Sequence, residues 1–202
     1  MSAKTVIEGL DREVNHFLDR TRFFHEELTV GRARMFVMQH RKNSRFRNSV
    51  LKLRVATNTP DWDVKLRIIH ACSQEIIADN EFGHGKAHWQ IMEDLGVSIG
   101  LERDDIKNAS LLPSTELSWL AWKGLMSNCH WLEGLIANTC AERINVPGYG
   151  EGRVREVGWS GAEGERWREL FGLSDDQLEF FAIHGEADIE HSDLGWNTVA
   201  DP

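Results

Sequence analysis

The run His184-Gly-Glu-Ala-Asp188-Ile-Glu-His191 constrains this chain more than any other segment. Read as a helix, it turns Asp188 about 40° and His191 about 20° from the direction of His184. Three side chains able to ligate a metal then share one face, while Glu186 and Glu190 point to solvent. The residues just before them, Leu178, Phe180, Phe181 and Ile183, are apolar, so the face is directed inward. A buried carboxylate with no partner costs several kcal/mol, and such groups are normally paired or bound to an ion. A single histidine on an apolar face is more often a satisfied core residue, so the triplet needs company before it means metal.

Glu81-Phe-Gly-His84-Gly-Lys-Ala-His88 supplies that company. Glu81 and His88 are seven apart and stack about 20° out of line, with His84 some 60° to the side. Helices that each turn His and carboxylate inward are the usual makings of a metal site in a bundle. Glu142 joins from a third helix. Trp131 and Leu135 lie within about 20° of its direction and Asn138 within about 40°, whereas Glu133 faces away. An arginine could equally well pair with Glu142 if it stood alone.

Glu81, His88, Glu142, His184, Asp188 and His191 together offer more donors than one ion needs. They suit two ions sharing at least one carboxylate, with Glu81 assigned as the bridge. Carboxylate oxygens with imidazole nitrogens favour iron or manganese over a thiolate-seeking metal, and zinc is the main competitor. Of these, iron is the ion that activates dioxygen.

The rest of the 202-residue sequence frames this reading. Four prolines, one tyrosine and short β-branched runs favour an all-α chain forming one domain over 1–202. A net charge of −9 argues against nucleic acid as a partner. Cys72, Cys129 and Cys140 show no CxxC spacing, which points to reduced thiols and a cytoplasmic location. No stretch is long and apolar enough to span a bilayer, so no membrane partner is expected. Thr59-Pro60-Asp61 should open a helix running to about Leu95, and Leu111-Leu-Pro113-Ser114 one reaching Ile144. Ser174-Asp-Asp-Gln177 caps the last helix, and the glycine-rich 148–164 segment reads as a loop. Six or seven helices result, with no strand.

In the order Glu81, His88, Glu142, then His184/Asp188/His191, the sequence resembles the haem-oxygenase-like diiron oxidases and oxygenases. Its spacing looks nearest to the CADD-type members, which form para-aminobenzoate. The resemblance extends over most of the chain, including Phe23-Phe24-His25-Glu26-Glu27-Leu28 and the Glu142 to Pro147 segment. It implies a seven-helix, haem-oxygenase-like bundle holding two iron ions, with O2 as co-substrate and an external electron donor. The expected outcome is N-oxygenation, desaturation or oxidative bond cleavage of a small, amino-acid-derived substrate. A homodimer is the assembly considered.

Several features depart from that pattern. The CADD-type members consume a tyrosine of their own with help from a lysine; here the only tyrosine is Tyr149, and no lysine follows Lys123. No Asp or Glu occurs from Leu28 through Pro60, so the seventh carboxylate of some nitrogen-oxidising members is missing. That acid-free stretch carries many basic residues, most of them a solvated face. Arg47 and Arg54, seven apart, share a direction and could clamp a substrate carboxylate, with Gln39 and His40 behind them. Trp131, Leu135 and Asn138 would shape the pocket, and His84 would be a spare ligand, proton donor or substrate contact. Gly83 and Gly85 should leave the Glu81–His88 turn marginally helical until metal binds. The rivals are a cofactor-independent oxidase like pyrroloquinoline-quinone synthase, a thiaminase-like hydrolase of the same fold, and a non-catalytic binding protein.

Overall fold

Side-chain caps set the first helix starts. In this computed structural model, residues 2–200 are described; positions 1, 201 and 202 of the expected 1–202 domain lie outside them. Ser2 accepts the Thr5 N–H and opens α1 (Ala3–Arg20), which the short α2 (Arg22–His25) follows. Thr29 accepts from the Arg32 N–H and opens α3 (Val30–Phe46). A π-helical turn, Arg47–Leu51, then joins α3 to α4 (Leu53–Asn58). Asp61, rather than Thr59, caps α5 (Trp62–Ile76) by accepting the Val64 N–H.

The helix expected to run to Leu95 stops at Ile76, and α6 (His88–Ser98) begins afresh. Asp79 causes the break. Its Oδ1 accepts the N–H groups of Glu81 and Phe82, and its backbone N–H donates to the Lys86 carbonyl at 2.9 Å. Local bonds of this kind compete with the helical ladder. Positive φ at His84 (49°) and Gly85 (79°) closes the loop. The segment is thus an ordered clasp and not a weak helix.

α7 (Arg103–Asn108) precedes α8 (Pro113–Asn128), which starts at the expected proline. The expected run to Ile144 is also divided. His130 Nδ1 accepts the Leu132 N–H while Glu133 takes the His130 N–H, starting α9 (Trp131–Arg143). The glycine-rich stretch is mostly helix: α10 covers Gly152–Phe171 and bends at Gly158 (φ 75°, ψ 167°). A 3-10 turn at Asp176–Leu178 leads into α11 (Glu179–Ala200). The described residues therefore hold more helical segments than the six or seven expected. Among them no strand forms, and Asp79 with Lys86 makes an isolated bridge.

Two apolar clusters hold these elements. One gathers Val37, Ile91, Met92, Leu95, Trp167, Phe180 and Phe181 from α3, α6, α10 and α11. The other joins Leu51, Val55, Ile68, Cys72, Met126 and Leu135 from the π turn, α4, α5, α8 and α9. α11 packs closely on α9, where Gly195 lies so near Thr139 that no Cβ would fit. Among the described residues no helix is long and apolar enough to cross a membrane.

Candidate metal centre

The imidazoles of α11 meet α5, α6 and α9 at two adjoining donor groups. The first is Glu75, His88 and His184, all buried; the second is Glu142, Asp188 and His191. Each group offers one ligand atom per residue within 4.8 Å of the others. Five of the six expected ligands are brought together in this way. Glu81 is not. It lies half-exposed in the clasp, where its Oε2 accepts from Gln74 at 3.0 Å and meets His70 Nε2 at 3.2 Å. The last turn of α5 places Glu75 where Glu81 was expected.

Hydrogen bonds fix the tautomers of the first group. His88 Nε2 lies 2.9 Å from Asp79 Oδ2, so it donates there and turns Nδ1 toward Glu75 Oε1 at 3.3 Å. His184 Nδ1 donates to the Phe180 carbonyl at 2.8 Å, which aims Nε2 inward. The carboxylate behind His88 and the carbonyl behind His184 are the orienting partners that metal-binding imidazoles normally have. Glu75 Oε2, His88 Nδ1 and His184 Nε2 are all buried without a hydrogen-bond partner. Buried polar atoms are seldom left so, and three converging ones fit a cation.

Electrostatics agree. Burial raises the Glu75 carboxyl, but His88 beside it prevails and holds it at about 2. Burial opposes charge on His88 too, yet Glu75 and Asp79 raise it to about 10. Burial, with charged His88 next to it, pushes His184 down to about 4. In the metal-free chain, then, Glu75 and His88 form an ion pair facing a neutral His184. A divalent ion must displace the His88 proton, so binding is proton-coupled. The first ion should bind about tenfold tighter per pH unit from roughly pH 6 to pH 9, releasing one proton. Calorimetry in buffers of differing ionisation enthalpy reads that proton directly.

The second group is hydrogen-bonded throughout. Lys52 Nζ donates to Glu142 Oε1 at 2.5 Å, Asn145 Nδ2 to Asp188 Oδ2 at 2.5 Å, and His191 Nε2 meets Gln74 Oε1 at 2.9 Å. Burial, then the charge of Glu142, drives the Asp188 carboxyl well above its usual range. A cation would relieve that repulsion. Burial and Lys52 hold His191 down at about 4.

Two cavities flank the groups, and Asn138 and Glu142 line both. One, of about 220 Å³, reaches Glu75, His184 and Asp188 between an aromatic wall (Phe23, Phe36, Trp159, Phe180) and Arg47. Buried His40 also lines it, its ring centroid 6.2 Å from that of His184 and its Nε2 unpartnered. Burial, then charge near His184, pushes His40 down to about 3, so it stays neutral. The other, of about 260 Å³, reaches Lys52, His191 and Leu135.

Three expected pocket residues lie elsewhere. His84 is on the surface against Glu179 Oε1 at 2.8 Å, and Trp131 packs into the second apolar cluster. Arg54 donates to Ser127 Oγ at 2.6 Å, outside both cavities. The π turn explains Arg54. It takes up about one extra residue, some 100° of rotation, so Arg47 and Arg54 no longer share a face. The same turn brings Lys52 round to within about 40° of Arg47, where an α-helix would set them about 140° apart.

No protein-family model and no curated protein matches the chain. Among solved structures it is similar to a domain of unknown function with a heme oxygenase-like fold from Shewanella denitrificans OS217. The TM-score is 0.73 at 14% identity, over 98% of this chain and 78% of that one. The chain therefore has an all-α, haem-oxygenase-like fold, as the sequence led us to expect. Within that fold it presents two groups of residues able to ligate metal.

Proposed function

We propose that the chain is an O2-dependent, non-haem diiron oxidase or oxygenase acting on a small, amino-acid-derived carboxylate. The observation that carries this is the convergence of Glu75, His88, His184, Glu142, Asp188 and His191 beside one cavity, with three buried donor atoms left unpartnered. Glu75, His88 and His184 would hold one iron, and Glu142, Asp188 and His191 the other. When bound, the two ions would supply the redox chemistry by which dioxygen oxidises a substrate.

The chain's own residues bind and orient that substrate. Arg47 lies against the Trp122 ring, 4.8 Å from its centroid, and its Nε donates to Asn48 Oδ1. This leaves the outer guanidinium nitrogens for a carboxylate, which arginine grips with two parallel bonds. The facing aromatic side chains exclude water and receive an apolar portion. Neutral His40 offers a proton-exchanging nitrogen beside His184.

The hydrolase rival needs a reactive thiolate. Burial pushes Cys72 up to about 12 and Cys140 up to about 11, which is the opposite of activation. Exposing the ferrous-loaded protein to oxygen with a panel of amino acids and their derivatives tests the oxidase reading. Substrate-dependent oxygen uptake supports it, and none across the panel with iron bound removes it. With an active substrate in hand, Arg47→Gln should raise KM at least about tenfold, the worth of one charge-assisted pair, while Arg54→Gln changes it less than about twofold.

A further inference from the structure

The two donor groups are not equivalent, and the difference lies in one side chain. In the first, three buried atoms face each other unpartnered; in the second, every residue already has a protein partner. The partner of Glu142 is a cation. Lys52 is 6% exposed, and Glu142 is the one carboxylate within ion-pair reach of its ammonium among the described residues. The π turn delivers it there, with the Cys72 thiol and Glu75 as the other ionisable groups bearing on it.

We infer that Lys52 is an internal competitor for the second ion. The chain holds one divalent cation firmly at Glu75, His88 and His184. It admits another at Glu142, Asp188 and His191 only when the ammonium leaves Glu142. This rests on the reading of both groups as ligands given above.

Charge balance runs the same way. Glu75, Asp79, Glu142 and Asp188 face Arg47 and Lys52, so a single divalent ion neutralises the cluster. A second, with Lys52 still in place, leaves an excess of buried positive charge, which is strongly disfavoured. Burial works against the ammonium, but Glu142 outweighs it and keeps Lys52 above the ordinary lysine range, so the competitor stays charged. A retreat exists. Lys52 lines the 260 Å³ cavity that also reaches Glu190, so its flexible stem can withdraw from Glu142 without any helix moving.

Anaerobic titration with cobalt(II), followed by visible absorption and by metal analysis after desalting, tests this. The unaltered chain should retain one cobalt and bind the second at least about tenfold more weakly, as expected for displacing a buried ion pair. Lys52→Met should retain two, with the second affinity raised at least about tenfold. Lys52→Arg, which keeps the charge, should behave as the unaltered chain does. Two ions bound with equal affinity by the unaltered chain, or an equally weak second ion in Lys52→Met, overturns the role of Lys52 and leaves the metal reading standing. No cobalt bound by any form removes both. Should Lys52→Met fail to fold, the two-step titration of the unaltered chain still decides the matter.

Discussion

Glu75→Gln is expected to weaken binding of the first ion at least about 100-fold, whereas Glu81→Gln should change it less than about twofold. Glu75 is the one anionic donor among Glu75, His88 and His184, and its Oε2 has no other partner. Glutamine keeps the shape and removes the charge, leaving two neutral imidazoles to hold a divalent cation. Glu81 is half-exposed, and its contacts with His70 and Gln74 are solvated, so its loss is a surface change. Cobalt titration of both variants, with circular dichroism to verify folding, checks the pair. Equal losses in the two variants, or a loss confined to Glu81→Gln, would show that the α5 carboxylate is not the ligand.

Gly158→Ala should be the most damaging conservative change far from the donor atoms. With φ 75° and ψ 167°, Gly158 occupies backbone space that is essentially reserved for glycine. A Cβ there would overlap the Asn145 carbonyl. Strain and overlap together should cost about 3–5 kcal/mol and lower Tm by roughly 10 °C. The effect reaches the site as well. Asn145 Oδ1 accepts from the Ser160 N–H and hydroxyl, which holds its amide toward Asp188 Oδ2. Displacing this turn loosens Asp188, so binding of the second ion should weaken beyond what the lower Tm alone would cause. Thermal melts with and without cobalt measure both. A Tm within about 2 °C of the unaltered chain would refute the packing argument.

The sequence was most legible where periodicity was unbroken. His184, Asp188 and His191 lie on one uninterrupted helix, so counting at 100° per residue put all three on the inner face. His88 and Glu142 were recognisable as polar residues on apolar surroundings, and both are where they were expected. Glu75 was passed over because the helix was carried through 77–87, where Glu81 and His88 would align. Asp79, capping the N–H groups of Glu81 and Phe82, ends that alignment. The signal for Glu75 was nevertheless present. Val64, Ile68 and Cys72 lead to it at helical steps, as Leu135 leads to Glu142, and both stripes end on a carboxylate. Gly158 misled in another way. A glycine-rich run looks like a loop, but here glycine serves a bent helix that presses on a neighbouring turn.

The π turn at Arg47–Leu51 makes chain length at that point a determinant of specificity in its own right. Removing any single residue between 47 and 51 would restore an uninterrupted α-helix and swing everything after it by about 100°. Lys52 would be carried out of the interior and Arg54 toward it, with no other side chain altered. A one-codon deletion there could re-specify this pocket more thoroughly than a series of point substitutions along its walls.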